Sequence, residues 1–272
     1  MQVTLTKHHG LGNDFLVCDT GQALPRIAWT ALAQRWCDRK RGVGADGLLT
    51  LTVDPDDPDR LTMSLHNADG SRAEMSGNGI RCLVQAAYLA QQRAGDARFV
   101  VATDAGERRV HVTPLDAAAH TIEASVDMGA VSGGEEPSGW ALVGQSPERP
   151  VAHLSLGNPH TVVAVDDVAA VQLEAIGAVV PDTNLEIVEP GPEPFAITMR
   201  VHERGAGVTE ACGTGACAAA WAASQWGLVD AGTEEIVVHM DGGDARVRMH
   251  DPAAGRVTLV GPATYVATVR VA

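Results

Sequence analysis

Short runs of apolar residues, many alternating with polar ones and bounded by turn formers, dominate the chain. Leu48–Val53, Leu61–Leu65, Phe99–Thr103, Arg109–Thr113, Thr121–Val126, Thr161–Val165, Ala196–Val201, Glu235–His239, Ala245–Met249, Arg256–Val260 and Thr264–Val271 all read as strands. Helical spacing is clearest at Ile80, Leu83, Val84, Ala87 and Tyr88, and again at Ala216, Ala219, Ala220 and Ala223. Weaker patterns suggest a helix after Pro25, over about 26–38, and another near Val168–Ile176. The Gly-, Pro- and Glu-rich stretch Val131–Pro150 reads as a loop. Many strands with few helices, not strictly alternating, predict an α+β fold.

The pattern also repeats. Residues 66–87 align without gaps on 202–223, at an offset of 136, with six identities in 22. These are His66/His202, Glu74/Glu210, Gly77/Gly213, Gly79/Gly215, Ala86/Ala222 and Ala87/Ala223. Leu11-Gly12-Asn13 and Leu156-Gly157-Asn158 echo each other at offset 145, each followed by a β-branched strand ending in Asp. Two matches in the same order predict a duplicated domain with a pseudo-two-fold axis.

Composition narrows the chemistry. With 272 residues and 45% hydrophobic content the chain can bury a sizeable core. Lys and Arg number 20 against 34 Asp and Glu, a net charge of −14, which disfavours nucleic acid or an anionic membrane surface as partner. The longest apolar run, Ala216–Ala223, is far short of the roughly 20 residues that span a bilayer. The opening MQVTLTKHHGLGNDF lacks the apolar core of a secretory signal, and five irregularly spaced cysteines do not form a disulfide framework. A cytoplasmic protein with reduced thiols is expected. Lysine occurs only at Lys7 and Lys40, so a pyridoxal-phosphate Schiff base has two candidates. The GxGxxG at Gly42–Gly47 precedes a strand rather than a helix, and no P-loop, CxxC or HExxH is present. No cofactor and no metal are expected.

Each half places a small nucleophile before a Gly-x-Gly that opens a helix: Ser76-Gly77-Asn78-Gly79 and Cys212-Gly213-Thr214-Gly215. Free N–H groups in a helix's first turn favour an anion such as a carboxylate. Two such helices facing each other would hold one carboxylate and set Ser76 and Cys212 on opposite faces of its α-carbon. That is the arrangement a two-base racemase needs. The helix start would also draw the Cys212 thiol toward thiolate. A single Gly-x-Gly is more often a plain loop-to-helix turn; the duplication favours the functional reading. Cys18, Cys37, Cys82 and Cys217 read as structural. His160 reads equally as a polarising group or a satisfied loop histidine. Glu203-Arg204 offer opposite charges to a zwitterion, although adjacent charges usually make a surface pair. Asn13, Asn67, Asn158 and Asn184 sit in turn-like contexts, where each could simply cap a turn.

Six segments carry a resemblance: HGLGNDFLVCD (9–19), RGVGADGLL (41–49), NADGSRAEMSGNGIRC (67–82), LGNPHTVV (156–163), TNLEIVE (183–189) and HERGAGVTEACGTGACAA (202–219). In order and nearly across the whole chain, they resemble the diaminopimelate epimerases, cofactor-independent isomerases. The resemblance implies two similar β-rich domains, each round a central helix, with the active site in the cleft between them. Residues 1–115 with 263–272 would form one half and 116–262 the other. It places the second catalytic cysteine on Cys212 and the catalytically important histidine on His160. Substrate-binding asparagines fall on Asn13, Asn67, Asn158 and Asn184, the Glu-Arg pair on Glu203 and Arg204, and the helix-start pairs on Gly77-Asn78 and Gly213-Thr214. Two positions depart from the pattern. Ser76 stands where the first catalytic cysteine belongs, and Gly47 where some members carry a glutamine.

The expected activity is interconversion of LL- and meso-diaminopimelate, in lysine and cell-wall precursor biosynthesis. The expected partner is a small amino-acid substrate, with a homodimer as the bacterial form. Two alternatives stand beside it because of Ser76: a racemase or epimerase of another amino acid, such as a hydroxyproline, and an amino-acid-binding homologue without turnover.

Overall fold

The computed structural model describes residues 2–22, 24, 28–116, 118, 120–144, 146–251 and 254–272. The chain divides into two compact units, Met1–Val126 with Gly261–Ala272, and Asp127–Val260. Both divisions, at 126/127 and 260/261, fall inside continuous strands and not at 115/116 and 262/263.

The first unit contains β1 (Val3–Gly10), β2 (Asn13–Asp19), β3 (Gly47–Val53), β4 (Arg60–Asn67), β5 (Arg72–Ala73), β6 (Ala97–Thr103), β7 (Gly106–Pro114) and the start of β8 (Thr121–Ala130). Its helices are α1 (Trp29–Trp36) and α2 (Gly77–Ala90). Pro25–Ile27, where the first helix was expected to begin, lie outside the described residues. The second unit contains the end of β8, then β9 (Ser132–Gly133), β10 (Val151–Ser155), β11 (Pro159–Ala164), β12 (Asn184–Pro190), β13 (Ala196–Glu203), β14 (Gly207–Thr209), β15 (Glu235–Met240), β16 (Gly243–Asp251) and the start of β17 (Arg256–Val271). Its helices are α3 (Leu173–Gly177) and α4 (Gly213–Trp226). The helix expected near 168–176 is split into a 3₁₀ turn at Val168–Ala170 and α3. The expected loop 131–150 holds β9 and a 3₁₀ turn at Trp140–Leu142.

Strand pairing closes on itself in each unit. In the first it runs β17–β1–β2–β3–β4–β6–β7–β8 and back to β17, with β2/β3 and β4/β6 parallel. In the second, β10–β11–β12–β13–β15–β16–β17 are closed by β8 and β9, with β11/β12 and β13/β15 parallel. Parallel neighbours need a crossover connection. α1 and α2 lie in those crossovers in the first unit, α3 and α4 in the second. The duplicated sequence thus gives a duplicated topology.

α2 and α4 are enclosed by the strands of their own units. Residues Gly77–Tyr88 of α2 are all buried, as are ten of the fourteen residues of α4. A helix apolar on every side has to be buried on every side. α4 meets this condition with alanines; α2 buries Ile80, Leu83 and Tyr88 together with the polar Asn78, Arg81 and Gln85, each of them hydrogen-bonded. β17 runs through Gly261-Pro262, where the sequence suggests a break, and it is there that the strand leaves the second unit for the first.

Candidate functional site

In the first unit, β1 and β2 are joined at Leu11-Gly12, both in the left-handed region (φ 55° and 83°). Positive φ at both central residues is the tight hairpin geometry that matches strand twist. The turn delivers Asn13, whose Nδ2 donates to Asp46 Oδ2 at 2.8 Å and whose Oδ1 accepts from Asn78 Nδ2 at 3.1 Å. Asn78 Oδ1 accepts in turn from Arg81 Nη2 at 2.7 Å. Asp46 is held by Arg39 at 2.7 Å, and Arg39 also binds Asp14. Burial opposes ionisation of Asp14, but Arg39 and Lys7 outweigh it and keep its carboxyl below the usual range. Asn67 ends β4 and donates to Ser71 Oγ at 3.1 Å.

Ser76 caps α2 from an extended backbone (φ −142°, ψ 123°), its Oγ accepting from Gly79 N–H at 3.0 Å. Serine is among the preferred residues there. Cys212 caps α4 in the same way (φ −125°, ψ 113°), its Sγ accepting from Gly215 N–H at 3.4 Å. The two capping residues, 136 apart in sequence, are therefore equivalent in their own units.

In the second unit, Asn158 sits in the β10–β11 turn and donates from Nδ2 to Thr214 Oγ1 at 3.2 Å, as Asn78 bonds to Asn13 in the first. Thr214 Oγ1 is 3.5 Å from Cys212 Sγ. Asn158 also lines a cavity of about 440 Å³ with Gly134, Glu135, Leu154, Ser155 and Asp182. Asn184 donates to Pro159 O and accepts the Arg204 backbone N–H, both at 2.9 Å. Glu203 ends β13 with Arg204 after it, exposed. Burial raises the Glu203 pKa, against hydrogen bonds from Thr209 and Cys212.

One expectation is corrected. Burial, reinforced by the charges of Glu203 and Glu186, pushes the Cys212 thiol well above its ordinary value. The Thr214 and Gly215 hydrogen bonds pull the other way and lose. These surroundings favour the Cys212 thiol, a proton donor, over the thiolate.

His160 is satisfied and buried: Nδ1 meets Glu186 Oε1 at 2.7 Å and Nε2 meets Asn158 Oδ1 at 3.1 Å. The structure thus brings Asn158, His160, Thr214, Cys212 and Glu203 together in the second unit, and Asn13, Asn78 and Ser76 in the first. Glu186 and the Arg39–Asp46 support of Asn13 were missed from sequence. A glutamate in the middle of the apolar run Leu185–Val188 was the available signal for Glu186. Gly47 has little room, since an added Cβ would lie 3.0 Å from Leu65 and 3.2 Å from Phe15. Among the described residues no group of three or more His, Cys, Asp or Glu is arranged to hold a metal ion, and no helix is long and apolar enough to cross a membrane.

Comparison with known proteins supplies the family. The diaminopimelate epimerase family profile matches residues 5–133 and 153–266. A diaminopimelate epimerase of Magnetococcus marinus is 39% identical over 277 residues, covering 96% of this chain and 94% of the relative. One from Synechococcus elongatus is 38% identical and covers 98% and 97%. A solved predicted epimerase from Pseudomonas aeruginosa superposes with a TM-score of 0.76 at 15% identity, over 99% of each chain. A hydroxyproline epimerase of Agrobacterium vitis, solved with trans-4-hydroxy-L-proline, gives 0.74 at 15% identity, over 99% and 92%. At that identity the two structures speak for the fold alone. A match of this extent to the family profile, with relatives this similar over nearly the full length, places the chain in the diaminopimelate epimerase family.

Proposed function

We propose that this protein interconverts LL- and meso-2,6-diaminopimelate by proton transfer at one α-carbon, in lysine and cell-wall precursor biosynthesis, without a cofactor. The observation that carries the reading is the equivalent capping position of Ser76 and Cys212, each at the N-terminus of an enclosed helix. In this reading the first-turn N–H groups at Gly77-Asn78 and at Gly213-Thr214 are the ones that take the substrate's reacting carboxylate. Those groups also stabilise charge that develops as the α-proton leaves. In one direction Cys212 delivers its thiol proton to the α-carbon while Ser76, or a water beside it, takes the α-proton from the other face. In the reverse direction Glu203, bonded to Cys212, takes the thiol proton, the thiolate removes the α-proton and the Ser76 side returns one. Arg204 takes the distal carboxylate, a bidentate pairing suited to guanidinium. Asn13, Asn67, Asn158 and Asn184 fix the remaining polar groups. A homodimer, carried over from the family resemblance, and a cytoplasmic location, expected from the sequence, belong to the same reading.

Ser76 makes the two faces unequal, because a hydroxyl is a far weaker acid than a thiol of pKa about 8.5. Incubation of each isomer in deuterated water, with exchange and inversion both read, tests this. One isomer should exchange its α-proton much faster than the other, with inversion slow. Ser76→Cys should raise turnover by about 10²-fold or more, the lower end of a positioned acid–base contribution. Binding without exchange in both proteins would instead make this a binding homologue. Exchange on hydroxyproline but not on diaminopimelate would reassign the substrate.

A further inference from the structure

The two units differ at one buried place where their topology is the same. In the first, Phe15 of β2 pairs with Gly47 of β3, and Leu49 of β3 packs beside Gly79 of α2. In the second, His160 of β11 pairs with Asn184 of β12, and Glu186 of β12 packs beside Gly215 of α4. Register and helix contact therefore equate His160 with Phe15 and Glu186 with Leu49. All four side chains are buried. One unit fills the place with two apolar groups, the other with an ionisable pair whose Glu186 Oε2 has no hydrogen-bond partner.

A fold that packs well with phenylalanine and leucine does not require a histidine and a glutamate there. Buried ionic pairs lose hydration that their attraction seldom more than restores, so an apolar replacement is often neutral or stabilising. The pair must then serve something other than the scaffold. Its contacts lead in one direction. Glu186 Oε1 holds His160 Nδ1, His160 Nε2 meets Asn158 Oδ1, Asn158 Nδ2 donates to Thr214 Oγ1, and that oxygen is 3.5 Å from Cys212 Sγ. Asn158 Oδ1 can only accept, so His160 Nε2 donates to it, and the Glu186 carboxyl on Nδ1 holds the ring in that orientation.

We propose that Glu186 is a positioning residue: through His160 it sets the orientation of the Asn158 amide, and so the geometry beside Cys212, without itself touching substrate. The proposal rests on the epimerase reading for its kinetic arm only. Gly215 fits the same assignment, because a Cβ there would lie 2.5 Å from Glu186 Oε1 and 3.2 Å from Cys212 Sγ. The carboxylate occupies the space that the glycine leaves.

Two variants test it. Glu186→Gln keeps the shape and removes the charge. The wild type's ¹⁵N–¹H ring spectrum should show a strongly downfield Nδ1 proton on His160, and the variant's should lack it. With diaminopimelate, kcat/KM should fall about 10–100-fold, the range found when partners that orient metal-bound histidines are removed. The double variant His160→Phe with Glu186→Leu copies the pair of the first unit. It should fold with a Tm no lower than the wild type and lose α-proton exchange. An unchanged ring spectrum in Glu186→Gln would overturn the proposal, as would kcat/KM within twofold of wild type. A double variant that fails to fold would also overturn it, by making the pair part of the scaffold. If wild type and variants alike leave diaminopimelate untouched, the epimerase reading fails, while the spectrum still decides whether Glu186 governs His160.

Discussion

At His8, burial lowers the imidazole pKa from 6.5 to about 4, while its ring nitrogens meet Gln85 Oε1 and Thr6 Oγ1, each at 2.9 Å. The folded-state value lies below the unfolded one, so as pH falls the unfolded chain takes up this proton first. Stability from this group is therefore undiminished above about pH 6.5, declines from there to about pH 4, and then levels off. The shift corresponds to about 3 kcal/mol. Denaturant unfolding of wild type and His8→Gln between pH 7 and 4 should show the wild type losing that much more than the variant. A difference below about 1 kcal/mol would refute it. Single residues were legible in the sequence where the repeat marked them: Ser76 and Cys212 stand out because each precedes the same Gly-x-Gly. Glu186 was not legible, because its equivalent is Leu49 and no identity links the two halves there. The thiol state of Cys212 depends on Glu203 and Glu186, which come close only in the fold.

α2 and α4 show how one element accepts different contents. Both begin on a capping side chain that receives the N–H of the residue three positions on, and both are enclosed. Their third helical positions differ in what surrounds them. A Cβ on Gly79 would meet Ser76 at 3.1 Å and Leu49 at 3.4 Å, whereas one on Gly215 would meet a carboxylate oxygen at 2.5 Å. Gly215→Ala should therefore destabilise the protein by about 1–3 kcal/mol, the scale of overpacking, despite the better helix propensity of alanine. Gly79→Ala should cost less, and thermal unfolding of the two variants compares them directly. Equal Tm values would show that Glu186 can move aside. Among the elements, α2 and α4 were visible because their apolar spacing is helical. β12 was missed because it is buried on both faces and carries a glutamate, so it neither alternates nor stays apolar. β1 was missed because its second half is Lys7-His8-His9, and only the fold gives those side chains partners.

The whole molecule repeats one ring of strands twice, and β8 and β17 each contribute to both. Duplication was legible from an offset, but the division between the units was not, since a strand signal carries no mark where it changes allegiance. Removing Pro262–Ala272 should deprive β1 of the partner that its register from Val3 to His9 requires. We expect such a chain to expose Met1–Val126 to rapid limited proteolysis. A synthetic peptide of residues 261–272 should restore protection by adding back as a strand. Full resistance of the truncated chain would show that the first ring does not depend on β17. The shared strand bears also on how the protein is made. A ribosome delivers residues from the N-terminus, and domains commonly fold in that order as they emerge. Here residues 256–260 close the later unit and residues 264–271 the earlier one, so the first half to be translated gains no head start. Each ring stays open at its seam until its own part of β17 has cleared the exit tunnel, so the half made first closes on a segment made after the half that follows it.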